Sequence, residues 1–334
     1  MIRRFGWNAT SFQALEPGFR YFFDGVDACV AYVDTGAAWV AAGAPIAADQ
    51  RLEEVATHFA RAARAHRRRV VLFGTEQRFV TAATFDALQI GQQPVWNPTA
   101  WDSVLRRSRS LREQLRRARA KGVRIRQIAA EEIAQPQLPM RLALERLVER
   151  WLQSRHMSPM GFLVGVHLFE FLEERRIFVA ETAAGPCAFV ALVPVYARNG
   201  WLVEDLVRAP EAPNGTSELL VDAAMRVAAA DGCEYVTLGL APLAGDVQPW
   251  LRAARTLGRG LYDFSGVHAF KGRLGPSAWS PIYLSSPRGG SSCLAVYDSL
   301  VAFSQGSLLR FGISTIARDP GVVLRGLALP ATMR

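Results

Sequence analysis

The sequence predicts an α/β protein in which one small unit is used twice, and three observations carry that prediction. Half of the 334 residues are apolar, and a chain of this length supports two cores more readily than one. Short apolar runs alternate with segments whose apolar residues recur at helical spacing. The same order, strand then Ala-Pro loop then helix then short apolar strand, occurs once in each half.

In the first copy, Cys29–Asp34 and Ala37–Ala42 read as a hairpin around Thr35-Gly36. Gly43-Ala44-Pro45 opens a loop. Leu52, Val55, Ala56, Phe59 and Ala63 then share one helical face, which predicts a helix over 52–66. "VVLFG" (70–74) is a short buried strand. In the second copy, Ile177–Glu181 and Cys187–Tyr196 form the hairpin, and Trp201–Val207 follows as a strand. After Ala209-Pro210, residues Leu219, Leu220, Ala223, Ala224 and Val227 predict a helix over 217–230, and "YVTLG" (235–239) closes the unit. This order resembles the Gcn5-related N-acetyltransferase fold. The expected architecture is two tandem folds of that kind, over 1–130 and 131–286, followed by an extension over 287–334. In that fold the strand-to-helix loop aims backbone N–H groups at a ligand, helped by the helix dipole.

A basic helix over 101–121 joins the two. Trp101, Val104, Leu105, Ser108, Leu111, Leu115 and Ala118 fall on one helical stripe. From Arg106 to Arg126 the chain carries ten cations and one anion, Glu113, a net charge of +9 that equals the total for the whole chain. Pairing one turn apart cannot satisfy so many cations, so the segment points to a phosphate-rich partner. In the extension, Leu294, Tyr297, Leu300, Val301, Leu308, Leu309 and Phe311 suggest an amphipathic helix broken near Gly306. It either packs on the body or lies in a membrane interface.

Several function classes drop out. The four cysteines form no CxxC pair and the five histidines no HExxH-like spacing, so no metal site is expected. Neither GxSxG, nor a Walker loop, nor GxGxxG in a strand–helix context is present, which removes hydrolase, NTPase and dehydrogenase readings. Nothing reads as a signal peptide, and no apolar run approaches the ~20 residues that span a bilayer. A cytoplasmic protein is expected.

The second copy's loop lies in "DLVRAPEAPNGTSELL" (205–220). Aligning the two Ala-Pro pairs sets Asp205 opposite Val40 and Arg208 opposite Gly43. One copy is apolar where the other is charged, so a single active site belongs to the second. The plain alternative is that Asp205 and Arg208 pair with each other, which at an exposed strand end stabilises by only ~0–1 kcal/mol. Pro210 and Pro213 remove two backbone donors, and Glu211 repels a pyrophosphate. Coenzyme A is therefore not the expected donor, and no cofactor is expected.

With these residues in view, the chain resembles the cytosolic catalytic domain of the phosphatidylglycerol lysyltransferases, or aminoacyl-phosphatidylglycerol synthases. The matching stretches are "GWNATSFQAL" (6–15), "AYVDTGAAWVAAGAPI" (31–46), "VVLFGTE" (70–76), "LREQLRRARAKGVRIR" (111–126), "WLVEDLVRAPEAPNGTSELLV" (201–221), "LGLAPLAG" (238–245) and "LYDFSGVHAFKGRLGPSAWSPIYL" (261–284). The closing stretch departs at Gly272-Arg273-Leu274-Gly275, where the family tends to have Lys-Phe before the proline. Full-length members carry a multi-span membrane domain ahead of this one, which is not among these 334 residues.

The resemblance implies transfer of a lysyl or alanyl group from aminoacyl-tRNA to a hydroxyl of phosphatidylglycerol, at the inner face of the cytoplasmic membrane. It places catalysis on Asp205 and Arg208. It places substrate contacts on Asn214, Gly215 and Ser217 in the loop, and on Tyr262, Phe270 and Lys271 in the closing stretch. Arg112, Arg116, Arg117 and Arg119 become the tRNA candidates. The residues by themselves leave two alternatives open: another acceptor, or a non-catalytic module that binds tRNA or anionic membrane.

Overall fold

In a computed structural model, residues 1–155, 161–258 and 262–304 are described. The first half runs α1 (Ile2–Phe5), β1 (Arg20–Phe23), β2 (Cys29–Asp34), β3 (Ala38–Ala42), α2 (Leu52–Ala65), β4 (Arg69–Glu76), α3 (Gln77–Ala82) and β5 (Phe85–Trp96). Two helices follow, α4 (Trp101–Arg107) and α5 (Arg109–Ala120). The second half has β6 (Arg124–Ile128), α6 (Pro139–Gln153), β7 (Arg176–Thr182), β8 (Gly185–Val195), β9 (Gly200–Arg208), α7 (Thr216–Ala230) and β10 (Tyr235–Thr237). It ends with β11 (Ala241–Pro242), α8 (Pro249–Leu257), α9 (Phe264–Arg273), β12 (Ala278–Pro287) and α10 (Ser292–Phe303).

All of the strands join one sheet, in the order β1-β2-β3-β4-β12-β5-β10-β9-β8-β7-β6, with β11 beside β5. Each half contains the signature of the expected fold: two parallel strands joined by a helix, β3-α2-β4 and β9-α7-β10. The tandem Gcn5-like architecture is therefore present. The halves then exchange strands. β12 comes from the second half and pairs antiparallel with β4, while β5 comes from the first and pairs antiparallel with β10. β5 and β12 pair with each other over ten positions, from Phe85↔Pro287 to Val95↔Ala278.

Burial follows strand alternation. Trp39, Ala41, Val70 and Leu72 face α2, where Leu52, Val55, Ala56 and Phe59 complete a core. Val40, Ala42 and Val71 face the other way, onto Leu88, Ile282, Leu284 and the α10 residues Ala295 and Ala302. In the second half α5 and α7 pack on β7 to β9, through Leu111, Leu115, Leu219 and Leu220. Close packing explains one glycine: a Cβ on Gly91 of β5 would lie 2.4 Å from the Ala241 carbonyl oxygen of β11.

The basic segment differs from its expected form. It is two helices, because Ser108 leaves helical geometry and its hydroxyl accepts the Leu111 N–H at 3.3 Å, capping α5. In the extension, α10 covers the start of the expected helix; Gly306 and the residues beyond lie outside the described residues.

Candidate active site

β9 carries Asp205 to the heart of the second half. Opposite it, Ala191 of β8 pairs with Asp205 but Leu192 pairs with Val203, so Glu204 is an extra residue in the ladder. Such a bulge re-aims side chains that strict alternation would send to opposite faces. Here Glu204 and Asp205 come close enough for the Glu204 charge to act on Asp205.

Two further residues complete the group. Arg175, just before β7, has a fully buried side chain that is hydrogen-bonded to Glu204 and to the Glu170 carbonyl at 2.8 Å. Glu16 arrives from the N-terminal segment, 3.6 Å from the same guanidinium. That segment crosses from one half to the other: Asn8 Nδ2 donates to the Gly74 carbonyl at 3.0 Å and Gln13 Nε2 to the Leu163 carbonyl at 3.2 Å.

Three carboxyls thus share one guanidinium inside the protein. Glu16 Oε1, Glu204 Oε1 and Asp205 Oδ2 are buried without a hydrogen-bond partner. Burial, and then the Glu204 charge, pushes Asp205 up to about 8 and Glu16 up to about 9. At neutral pH Glu16 and Asp205 therefore hold protons that solvated carboxyls would have released. Among the described residues no second cation pairs with the group. Glu16 also lines a cavity of about 420 Å³ whose other walls include Phe19, Val33, Asp34, Phe162, Leu163 and His167.

Arg208 turns the other way. Its guanidinium donates to the Ala212 carbonyl and, at 3.4 Å, to Asn214 Oδ1. Among the described residues Asp205 and Arg208 do not pair; Arg208 braces its own loop. Glu211 pairs with Arg150 of α6. Gly215 adopts φ +89 at the start of α7, and a Cβ there would meet the Gln114 carbonyl oxygen of α5 at 2.2 Å. The basic helix therefore lies against this helix start. Gly215→Ala is expected to lower stability by about 1–3 kcal/mol, read from urea unfolding, because strain and clash act together. A loss below the error of that measurement would mean that α5 moves freely. Ser217 is half-buried in the first turn of α7, and Asn214 is exposed.

The closing stretch is held by Lys271 on α9. Its Nζ donates to the carbonyls of Leu238, Gly239 and Leu240 at 2.7, 2.9 and 2.8 Å. Burial alone pushes this amine down to about 7. Three accepting carbonyls use all three ammonium protons, and the geometry holds the charged form. Lys271 thus fixes the turn where the chain leaves β10. Phe270 packs on the core of the second half, and Tyr262 lies 4.8 Å from Phe264, ring to ring.

The four tRNA candidates separate into two pairs. Arg112 donates to the Leu105 carbonyl at 2.6 Å, closing the end of α4. Arg119 pairs at 3.0 Å with Asp222 of α7, which is buried and also accepts from Trp101 Nε1 at 2.9 Å. Arg116 and Arg117 are exposed and share Glu113 at 2.8 and 2.9 Å.

One group has the makings of a cation site that the sequence did not suggest: Asp24, Glu54 and His58 offer ligand atoms within 4.8 Å of one another. Arg51 already occupies it, 3.1 Å from Asp24 and 3.4 Å from Glu54.

Comparison with known proteins bears on the fold and the family. A family model described as phosphatidylglycerol lysyltransferase, C-terminal, matches residues 2–285. A phosphatidylglycerol lysyltransferase of Bacillus subtilis (strain 168) is 29% identical over 164 residues, 46% of this chain and 19% of that protein. The chain therefore spans about a fifth of that relative's length. The structure of L-PGS from Bacillus licheniformis superposes with a TM-score of 0.75 at 20% identity, covering 89% of this chain and 93% of that one. A C-terminal domain assigned to a lysylphosphatidylglycerol synthetase of Agrobacterium fabrum gives 0.73 at 22% identity, covering 87% and 91%. At these identities the superpositions speak for the fold, and the family match speaks for descent: the chain belongs to the phosphatidylglycerol lysyltransferase C-terminal family.

Proposed function

We propose that this chain moves an aminoacyl group, lysyl or alanyl, from aminoacyl-tRNA to a hydroxyl of phosphatidylglycerol at the inner face of the cytoplasmic membrane. The observation that carries this reading is the buried group of Glu16, Glu204 and Asp205 around one arginine, opening through Glu16 onto a cavity. An aminoacyl ester brings an ammonium, and a lysyl ester brings two. Either one supplies the cation that the carboxyls lack.

The chemistry is an exchange of esters. The acceptor oxygen attacks the aminoacyl carbonyl carbon, the ribose oxygen of the tRNA leaves, and the acceptor's proton ends on that leaving oxygen. Reactant and product are both esters, so the free-energy change is small and the protein's task is to position the partners. The carboxyl group holds the donor's ammonium. Lys271 positions the turn over 238–240, and Arg208 positions the loop over 209–215. Arg116 and Arg117, with their guanidiniums exposed, are the tRNA contacts that this reading favours.

Radiolabelled aminoacyl-tRNA mixed with the full chain and phosphatidylglycerol vesicles tests it. Label recovered in the lipid phase is expected. Label in a water-soluble product would replace the acceptor, and tRNA binding without any transfer would end the enzyme reading. Arg116→Glu with Arg117→Glu is expected to weaken tRNA binding and lower the slope of log K against log salt by about 1–2. An unchanged slope would remove these two arginines from the interface.

A further inference from the structure

A second basic run lies in the first half. Arg61, Arg64, Arg67, Arg68 and Arg69 follow one another with no acid between them. Four of them, with Arg288, line a cleft of about 520 Å³ where the end of α2, the start of β4, the end of β12 and the start of α10 meet. The lining carries one carboxylate, Asp298. Two arginines are committed: Arg68 to Asp34 at 3.0 Å, and Arg69 to the buried Asp298 at 2.6 Å. Among the described residues Arg61, Arg64 and Arg288 form no ion pair. Unpaired cations held together in a concave site raise its potential and favour an anion.

The wall made by α10 has an unusual orientation. Its small and polar residues Ala295, Asp298, Ser299 and Ala302 face the sheet. Leu294, Tyr297 and Leu300 stand outside, 47%, 51% and 50% exposed. They recur every third residue, so they form one row along the helix, and Leu294 also lines the cleft. Arginines beside an apolar and aromatic row suit a bilayer interface, where phosphates lie next to the acyl boundary. A nucleic-acid backbone would meet the arginines and leave the row in water.

Register fixes where the cleft lies. β4 starts at Arg69, β12 ends at Pro287 and β9 ends at Arg208, and the pairings through β5 and β10 put all three ends at one edge of the sheet. A surface resting on the cleft faces the same edge as the Arg208 loop.

We propose that the arginine cleft and the exposed row of α10 together seat the chain on an anionic phospholipid bilayer. This deepens the lipid-acceptor reading, yet its test needs no transfer. The full chain is sedimented with sucrose-loaded vesicles of phosphatidylglycerol and phosphatidylcholine, and with phosphatidylcholine alone. Binding to the anionic vesicles only is expected. Arg61→Glu with Arg64→Glu weakens that binding by about tenfold or more and flattens its salt dependence. Leu294→Ser with Tyr297→Ser weakens it by about tenfold with the salt dependence kept. All four positions are solvent-accessible, and an unchanged thermal midpoint verifies folding. Arg116→Glu with Arg117→Glu keeps vesicle binding and loses tRNA. Wild-type chain that ignores anionic vesicles overturns the proposal. So do arginine variants that bind vesicles normally, or that lose tRNA instead. Vesicle binding through the cleft with no label transferred would leave this surface standing and remove the proposed reaction.

Discussion

Arg175→Met lowers the stability of the fold by about 3–5 kcal/mol at pH 7, measured by urea unfolding, because a buried ion group loses the one cation that pairs with it among the described residues. The methionine fills a similar volume, so packing is a small part of the cost. Glu204 loses a charged hydrogen bond, and Glu16 and Asp205 lose the one neighbour that lowers their pKa. The deficit grows as pH rises through about 8 to 9, where Glu16 and Asp205 ionise beside the guanidinium in the wild type and hold their protons without it. Adding Glu204→Gln to the methionine variant restores part of the stability, because the charge left unpaired is then gone. A loss below about 1 kcal/mol with no pH dependence would mean that water reaches the carboxyls and screens them.

Asp205→Asn has the second large effect, and it divides function from stability. Transfer is expected to fall about a hundredfold, since one partner of a buried charge contact is removed. Stability moves the other way at alkaline pH. Asp205 is raised to about 8 in the fold, against about 3.9 in the unfolded chain. Between those values the folded chain holds a proton that the unfolded chain has released. Stability therefore falls as pH rises, by up to about 1.4 kcal/mol per unit for each such group, and levels off above the folded value. Asparagine has no proton to lose. The variant's thermal midpoint is expected to fall less between pH 5 and pH 9 and to exceed that of the wild type at the upper end. Parallel curves would show that Asp205 is ionised in the fold. A site tuned for a cation carries such a cost when empty.

Much of the scaffold was legible because both copies follow plain rules. The hairpins, α2, α7 and the short strands after them lie within a residue or two of the expected limits. Comparing Val40 with Asp205 also points to the strand that carries the buried carboxyls. The partners of Asp205 were hidden for different reasons. Glu204 is its neighbour, and alternation sends neighbours to opposite faces unless a bulge intervenes. Glu16 lies directly after "GWNATSFQAL", but nothing local shows that this segment crosses into the other half. The basic helices were read by counting charges within one segment, which could not reveal that Asp222, far along the chain, would take Arg119. β5 and β12 escaped notice because Pro94, Pro281 and a glutamine-rich stretch argue against central strands. β12 accommodates this with a register shift between Ile282 and Tyr283.

The exchanged strands also set a schedule for synthesis. β4 of the first half has no partner on its inner side until β12 is made, and Glu76 must wait for Ile282. At about 5–20 residues per second, that delay amounts to tens of seconds on the ribosome. During it the apolar edge of β4, "VVLFG", is open to other chains. Until then a nascent chain cannot close the core on the second face of β3 and β4, where Ile282 and Leu284 meet Val40 and Val71, and it is in that interval that a chaperone has the most to protect.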